Sequence, residues 1–450
     1  MPLDFPPFHV RPAWRPPFRS AVRPPFGSAV NPIADALVNI DFDNAVGVAS
    51  ISSIPNIGLG GSNYDLDTIV GTAANLKPHP SGSCLFYGVS GDGVGTPDSA
   101  AVSITSDIDL RVKVALDDYS PATEQALITK WSISGGNRSY FFRLEASGAL
   151  RLFLSGDGST NVNATSSAAV SVANGETIWL RVFWDQSESD CFFFTSTDGI
   201  SWNPLGTTQT LVLASIFDGN ADLEIGSAEA TTSNNSSGSF FKGEVYDGTT
   251  LVADFNPVDA GNTGATSFPS STTGETWTLN GNTFIQNTAH KAGHFLQGVG
   301  IENAVGQLVS GQNVVFVVAR YIDPGAGTCT LVDSKSNLTA RLLTTVDNTT
   351  NQPAVNAGST ITIASALDAE WHVWVIQNNQ DATSSLEVND IGSITGDMGS
   401  QNWDALSLGV NASGANFWNG PVRQVLQFAG PLSAARISQI TNFLIADNNA

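Results

Sequence analysis

The sequence predicts an all-β protein of two antiparallel β-sandwiches in tandem, preceded by an extended arm and closed by a short helix. Apolar and polar residues alternate over short segments in most of the chain, which is the pattern of half-buried strands. Charged residues make up 13% of the sequence and glycine is frequent, at 43 positions, as expected for strands joined by tight turns. At 450 residues the chain exceeds what one hydrophobic core usually supports, so we expect two domains.

Residues 1–34 predict an extended anchoring arm. Arg15–Val22 is followed by the near-identical Arg23–Val30, and proline, which fixes φ and lacks an amide donor, rules out a helix or a central strand. Four arginines against Asp4 give the arm a charge of +3, whereas the other residues hold 15 basic and 40 acidic groups, or −25. A disordered tail is the alternative. The side chains expected to dock on a partner are Phe8, Arg11, Trp14, Arg15, Phe18, Arg19, Arg23 and Phe26.

The first β-sandwich domain is predicted over residues 35–287. Its clearest part is a meander over 127–202, in which alternating apolar residues are interrupted by Gly135-Gly136-Asn137 and by the hairpin signal Asp198-Gly199. In the strand from Trp179 to Trp184, Arg181 is expected to face water and Leu180, Val182 and Trp184 the core. The strands from Leu37 to Asp43 and from Leu251 to Asn256 are expected to be the first and the last of this domain. The other expected strands are Ser103–Leu116, Cys191–Thr195, Ala221–Gly226, Phe240–Tyr246 and one over 276–280.

The second β-sandwich domain is predicted over residues 288–450. Its C-terminal helix is expected from Ser433 to Ile445, because Ser433 is a good N-cap and apolar residues then recur at helical spacing. The expected strands are Val314–Ala319, Cys329–Val332, Arg341–Thr345, Trp371–Gln377, Ser385–Val388 and Leu406–Val410.

These segments resemble the laminin-G/concanavalin-A-like lectin jelly roll, and more narrowly its copies in bacteriophage virion proteins. The resemblance rests on Lys130-Trp131, Asn137–Tyr140, Gly148–Arg151 and Ser196–Gly199 before Trp202, and in the second half on Glu370–Trp374 and 417–422. It covers residues 36–285 and, more loosely, 290–450. It implies the fold, in which the first and last strands lie side by side in one sheet, so the strand from Leu37 to Asp43 would pair with the one from Leu251 to Asn256. The fold serves lectins, enzymes and structural modules alike.

Several functions are excluded or disfavoured. A net charge of −22 argues against nucleic-acid binding, which depends on neutralising phosphates. We expect no enzyme, because the acids of Asp107-Ile108-Asp109 and Asp65-Leu66-Asp67 lack the third carboxylate of the resembling glucanases. His290 and His294 lie in a loop-like context and are interpreted as surface or structural residues. We also expect neither a signal segment nor a membrane span.

Expectations for bound groups are few. No cofactor is expected except calcium, for which Asp92, Asp98 and Asp157 are the candidate ligands, although Asp-Gly turn chemistry explains the same residues. The three cysteines are expected as buried thiols. Trp202, Trp403 and Trp418 lie near turns and are the candidate glycan contacts. The strand residues Trp131, Trp179, Trp184, Trp371 and Trp374 are assigned to the core.

The resulting hypothesis is a bacteriophage virion structural protein on the outside of the particle, either a capsid decoration or a tail or fibre appendage. The arm would bind other virion proteins, the two lectin-like domains would display weak glycan adhesion, and the chain would form a homo-oligomer such as a trimer. The alternatives are a bacterial surface lectin or adhesin and a polysaccharide-cleaving enzyme.

Overall fold

The computed structural model describes residues 31–261, 265–287, 290–303, 311–323, 327–334, 342–401 and 405–448. Within them the predicted all-β class is confirmed: two antiparallel β-sandwiches hold the strands, and one α-helix lies at the C-terminal end. None of the helices in these ranges is long and apolar enough to cross a bilayer. The first strands are β1 (Val38–Asp41), β2 (Leu66–Gly71) and β3 (Leu76–His79).

The next seventeen strands form one sandwich, which we call the inserted sandwich. They are β4 (Ser83–Tyr87), β5 (Gly93–Thr96), β6 (Ile108–Leu116), β7 (Gln125–Ser132), β8 (Asn137–Leu144), β9 (Ala149–Leu154), β10 (Val162–Ala169), β11 (Ile178–Asp185), β12 (Asp190–Ser196), β13 (Asn203–Pro204), β14 (Gln209–Thr210), β15 (Leu223–Ile225), β16 (Ser237–Asp247), β17 (Thr250–Phe255), β18 (Ser267–Pro269), β19 (Thr276–Asn280) and β20 (Phe284–Gln286). Its nine-stranded sheet has the order β13-β12-β11-β6-β16-β4-β20, with β14 beside β12 and β17 beside β16. Its eight-stranded sheet has the order β10-β9-β8-β7-β15-β5-β19-β18.

The remaining strands and the helix belong to the second sandwich, which we call the host sandwich. They are β21 (Ala292–Phe295), β22 (Val299–Asn303), β23 (Asn313–Arg320), β24 (Thr328–Asp333), β25 (Leu343–Asp347), β26 (Gln352–Asn356), β27 (Thr360–Thr362), β28 (Trp371–Asn378), β29 (Ser385–Val388), β30 (Gly392–Thr395), β31 (Ser407–Leu408), β32 (Gly420–Ala429) and α1 (Ala434–Asn448). One sheet has the order β3-β21-β32-β23-β28-β29-β30, with β1 beside β32, and the other has the order β2-β22-β31-β24-β25-β26-β27.

Strand pairing places the first strands in the host sandwich. β1 pairs with β32, Ile40 lying opposite Val425, whereas the predicted partner of β1, the segment from Leu251 to Asn256, pairs with β16. The predicted pairing is therefore wrong. The sheets group residues 38–79 with the strands after residue 291, so the predicted boundary at residue 35 does not separate the sandwiches. The inserted sandwich instead interrupts the host between β3 and β21, which pair with each other.

The two crossings between the sandwiches run next to each other. The Gly82 amide donates to the Gln286 carbonyl at 2.6 Å, and the Gln286 side chain donates to the His290 carbonyl at 2.7 Å. Lys77 of the host is ion-paired with Asp117 of the inserted sandwich and donates to Ser237 at 2.7 Å. Adjacent ends are what allow a domain to be inserted without distorting its host.

A buried pair of histidines lies at this junction. His79 on β3 and His294 on β21 are 1% and 0% exposed, and their ring centroids are 5.7 Å apart. The His79 Nε2 lies 3.3 Å from the Ser83 carbonyl, while neither ring nitrogen of His294 has a partner among the described residues. Burial lowers the pKa of His79 to about 3 and that of His294 well below its usual value. The interpretation of His294 as structural is compatible with this position.

Each sandwich has its own core, which follows the predicted alternation. On β11 the side chains of Leu180, Val182 and Trp184 are fully buried in the inserted sandwich, and Arg181 points to the other face. In the host, β23 is buried on both faces, as its continuous apolar run indicates, because the core covers one face and α1 the other. The predicted helix is confirmed, with the Ser433 hydroxyl accepting from the Arg436 amide at 3.3 Å. The predicted burial of the cysteines as free thiols is confirmed for Cys84, Cys191 and Cys329.

Candidate functional site

The solvent side of the nine-stranded sheet holds a group of aromatic side chains, which we call the aromatic face. All are partly exposed, and they come from β11, β12, β16 and the turn after β12. These side chains lie together because residues two positions apart on a strand point to the same side of the sheet. Its members are Trp179, Phe183, Phe192, Phe194, Trp202, Phe241 and Tyr246.

Two arginines lie at the centre of this face. Arg111 on β6 is directly opposite Arg181 on β11, and Arg181 is in turn opposite Phe194 on β12. Like charges placed opposite each other destabilise a sheet unless a counter-ion lies between them. Here that counter-ion is Asp109, which is 2% exposed.

Asp109 fixes both guanidinium groups. Arg181 donates from Nε to Oδ1 and from Nη2 to Oδ2, each at 2.8 Å, in a bidentate pair. Arg111 donates from Nη2 to Oδ2 at 2.7 Å and from Nε to the same oxygen at 3.1 Å. Such bonds define the position of each planar group. Nη1 of Arg181 has no hydrogen-bond partner among the described residues, so it stays available to a ligand.

Trp202 lies over these arginines. The turn before it is held by Asp198, which accepts the amides of Ile200 and Ser201, each at 2.8 Å, so the pKa of this carboxyl is lowered. The indole ring then lies 5.2 Å from the Arg181 guanidinium carbon and 5.8 Å from that of Arg111. Both distances are within the cation–π range.

The rest of the face extends from this centre in two directions. On one side Phe192 stacks on Phe183 at 6.0 Å and on Phe194 at 6.4 Å, with interplanar angles of 19°. On the other side the Tyr246 ring lies 4.2 Å from the Arg111 guanidinium carbon, and its hydroxyl donates to Glu244 at 3.1 Å. Burial and the Glu244 charge raise the pKa of Tyr246 to about 12, so it remains a hydroxyl donor at neutral pH.

Charge on this face is close to balanced, in contrast to the acidic protein as a whole. Lys242 is ion-paired with Asp254 at 3.1 Å and lies 3.7 Å from Glu244. Lys113 has no acidic partner among the described residues and lies over the Phe241 ring at 5.3 Å. The face therefore offers flat apolar rings beside donors and acceptors in fixed positions.

Of the predicted glycan contacts, Trp202 lies on this face and Trp418 does not. Trp418 is 0% exposed and packs against Trp374 in the host core, so its assignment as a glycan contact is wrong. Trp403 lies outside the described residues. Trp179 is partly exposed, and its assignment to the core is also wrong, whereas the assignment is confirmed for Trp131, Trp184, Trp371 and Trp374.

The arginines, Tyr246 and the phenylalanines are functional candidates that we did not predict. A signal for them is present, because Trp179 and Phe183 are two residues away from Arg181, which the alternation already places outside. The docking residues predicted in the arm, from Phe8 to Phe26, lie outside the described residues.

The carboxylates of the three candidate calcium ligands form hydrogen bonds or ion pairs with other groups of the protein. Asp92 is fully buried and accepts the amides of Tyr87 at 3.2 Å and Asn282 at 2.8 Å. Asp98 is ion-paired with Lys130 at 2.8 Å. Asp157 accepts the Ser159 and Thr160 amides in its own turn, which lowers the pKa of the carboxyl to about 2. In the described ranges, no three histidine, cysteine or acidic side chains are grouped to hold a metal ion.

No family model matches the chain, and no curated protein sequence matches it. Among solved structures, domains LG4-5 of the mouse laminin alpha1 chain match 78% of this chain and 89% of their own at 11% identity, with a TM-score of 0.30. The CBM40 of the Ruminococcus gnavus IT-sialidase, bound to alpha2,3 sialyllactose, matches 35% of this chain and 86% of its own at 14% identity and a TM-score of 0.27.

A third match is domain 4 of AbnA, a GH43 extracellular arabinanase from Geobacillus stearothermophilus, in complex with arabinotriose. It matches 34% of this chain and 77% of its own at 13% identity and a TM-score of 0.28. Because identities and TM-scores are this low, the sugars in these structures describe those proteins, and the ligand of this chain has to be argued from its own residues.

Proposed function

We propose that the protein is a non-enzymatic carbohydrate-binding protein, whose glycan lies along the aromatic face of the inserted sandwich. The observation that carries this proposal is the presence of seven partly exposed aromatic side chains on one side of one sheet. Single exposed apolar residues are ordinary, but a contiguous apolar patch marks a binding surface.

The chemistry of the face fits a sugar chain. Sugar rings present apolar C–H faces and polar edges, so they are bound by an aromatic plane with hydrogen-bonding groups beside it. Trp202 and Phe194 supply planes on either side of the Arg181 guanidinium, at 5.2 Å and 5.1 Å from its carbon, and the Tyr246 hydroxyl lies beyond them next to Arg111. Asp109 holds both arginines in place, so little side-chain entropy is lost on binding.

The ion pairs on the face support binding over hydrolysis. Cleavage of a glycosidic bond uses one carboxyl group that gives up a proton and a second that acts as base or nucleophile. Asp109 is engaged by two arginines, and Asp254 is engaged by Lys242. These carboxylates are thus occupied by ion pairs within the face, which suits a static polar surface.

The experiment is a glycan array with the full chain, followed by calorimetry on the best ligand. Trp202→Ala should weaken binding about tenfold or more, since it removes one plane and its contacts with two guanidinium groups. Leu59→Ala, which removes a 73% exposed side chain from the host sandwich, is the matched control and should bind like the wild type. Unchanged binding in Trp202→Ala would sink the proposal, as would a face that only mediates self-association in light scattering.

We further propose that this adhesion is displayed on the outside of a bacteriophage particle, with residues 1–34 as the anchor. What supports this part is the sequence of the arm alone, with its repeated Arg-Pro-Pro-Phe units and a charge opposite to that of the rest of the chain. Deleting residues 1–34 should leave glycan binding intact and abolish incorporation into particles. Incorporation of the truncated chain would contradict the role of the arm as anchor, and absence of the full chain from particles would favour the alternative, a lectin or adhesin of a bacterial surface.

A further inference from the structure

The aromatic face carries an excess of positive charge at its centre, and strand register shows where this charge lies. Arg181 on β11 is opposite Arg111 on β6, and in the next row of the same two strands Trp179 is opposite Lys113. All four side chains share one side of the sheet, because the two on each strand are two residues apart. Three cations therefore lie within two neighbouring rows.

The acids at the centre of the face do not neutralise its cations. Asp109 offers one negative charge to two guanidinium groups. The other two acids, Glu244 and Asp254, lie 3.7 Å and 3.1 Å from the Lys242 ammonium on β16. In this described part of the sheet, four bases and three acids leave a charge of +1, whereas the whole chain has −22. The four bases are Arg111, Lys113, Arg181 and Lys242.

Other acids lie further along the strands. Asp185 is four residues from Arg181 and lies opposite Asp190, and Asp117 is four residues from Lys113 and is paired with a lysine of the host. Four residues of a strand span about 13 Å. The Debye length at physiological ionic strength is about 8 Å, so these charges are largely screened from the centre of the face. Two further acids, which accept amides of their own turns, are Glu176 and Asp198.

Two donors at this centre are free to bind a ligand. Asp109 accepts from Nε and Nη2 of Arg181, and Nη1 has no partner among the described residues. The Lys113 ammonium forms no ion pair there and lies 5.3 Å from the centre of the Phe241 ring. An exposed cation is held less strongly by a ring than by a charge-assisted hydrogen bond, so an anionic ligand can draw the lysine away from Phe241. Lys113 and Arg181 are diagonal neighbours, about 7–8 Å apart, a distance that long side chains span.

We propose that the glycan on the aromatic face is acidic, and that the carboxylate of a uronic acid residue binds between Arg181 and Lys113. One carboxylate oxygen accepts from Nη1 of Arg181 and the other from the Lys113 ammonium. The apolar side of the sugar lies against Trp202, whose ring is 5.2 Å from the Arg181 guanidinium carbon. This inference rests on the proposed function for the place of the ligand and adds its chemical class.

The test compares pairs of oligosaccharides that differ only in charge, by calorimetry on the full chain. The probes are oligomers of galacturonate, glucuronate and mannuronate, each beside the same oligomer with its carboxyl groups reduced to hydroxymethyl groups. At least one acidic oligomer should bind about tenfold more tightly than its reduced form, as one added charge-assisted hydrogen bond provides. Salt at about 1 M instead of about 0.1 M, which shortens the Debye length from about 10 Å to about 3 Å, should remove most of this preference.

Three variants test the two proposed donors. Lys113→Met should lower the preference for the acidic form about tenfold. Arg181→Lys keeps a positive charge beside Asp109 but loses Nη1, and should act in the same direction; Lys113→Met remains informative if this variant does not fold. Arg151→Met is the matched control, because it removes one positive charge from the other sheet of the same sandwich and should keep the preference.

Equal or tighter binding of the reduced forms would overturn the proposal, and so would an unchanged preference in Lys113→Met. A preference lost equally in Arg151→Met would also contradict it, because net charge rather than this site would then be responsible. If the reduced forms bind as well as the acidic ones and Trp202→Ala still weakens their binding, the proposed function stands and only the acidic ligand is wrong. Binding of none of the acidic oligomers overturns the acidic ligand, and the glycan array with Trp202→Ala decides separately on the proposed function.

Discussion

The buried histidine pair at the junction should make folding stability fall with mild acid. His79 has an ordinary pKa of 6.5 when unfolded, and burial lowers it to about 3 in the folded protein. The unfolded chain therefore takes up a proton that the folded chain refuses, so stability is complete above pH 6.5 and is lost as the pH falls towards 3. At pH 5, 1.5 units below the unfolded pKa, the loss is about 2 kcal/mol for His79, at about 1.4 kcal/mol per unit.

His294 adds a loss of the same sign, because burial lowers its pKa as well. The groups around the pair do not offset the new charge. Lys77 and Arg320 are cations, and Tyr87, whose pKa burial raises, contacts His294 as a neutral ring at 6.0 Å between centroids. The combined loss between pH 7.5 and pH 5 should lie between about 2 and 4 kcal/mol.

The assay is urea unfolding followed by circular dichroism at pH 7.5, 6.5, 5.5 and 5.0. His79→Phe removes the titrating group and keeps a planar ring, so its stability should fall about 2 kcal/mol less than that of the wild type over this range. Asp92 and Glu224, whose raised pKa values favour the folded state in acid, are the same in both chains and cancel. Parallel pH profiles for the wild type and His79→Phe would refute the reasoning.

Three further predictions follow from the packing. Trp418→Ala should lower the free energy of unfolding by about 3–5 kcal/mol without changing glycan binding, because it opens a cavity in the host core, as urea titrations can measure. Lys77→Met should uncouple the two sandwiches, because Asp117 loses its ion-pair partner. In calorimetry the melting temperatures of the two sandwiches should then lie further apart than in the wild type. Thiol reagents should label no cysteine of the native protein at pH 8 and all three in guanidinium chloride, because burial raises the pKa of each thiol: Cys84, Cys191 and Cys329.

Local patterns predicted the strands because burial alternates with the same period as the sequence. On β11 the assignment of Leu180, Val182 and Trp184 to the core needs only the side of the sheet that each side chain faces. The same rule places Trp179 on the solvent side with Arg181, and its assignment to the core was wrong because every tryptophan in a strand was treated as a core residue. The assignment of Trp418 as a glycan contact was wrong because a position near a turn does not indicate whether the side chain is buried.

The pairing of the strands could not be predicted from local patterns. Ile40-Asp41-Phe42-Asp43 and Val252-Ala253-Asp254-Phe255 have the same alternation, so either fits the edge of a sheet equally well. What separates them is a partner almost 400 residues away: Arg423 on β32 donates to Asp41 and to Asp43, the latter at 3.1 Å. The buried Arg423 side chain fixes this register by pairing with the two carboxylates, and the periodicity of the sequence does not indicate such a long-range pair.

The insertion also changes the predicted arrangement of the two sandwiches relative to the arm and the helix along the chain. The sequence predicted two equivalent sandwiches behind an arm, but the arm precedes β1, a strand of the host, and the helix α1 covers the same host sheet. The aromatic face belongs to the inserted sandwich, which leaves and rejoins the host at Gly82 and Gln286. That unit is also joined to the host through the ion pair of Lys77 and Asp117, and the sheet that carries the aromatic face contains no strand of the host.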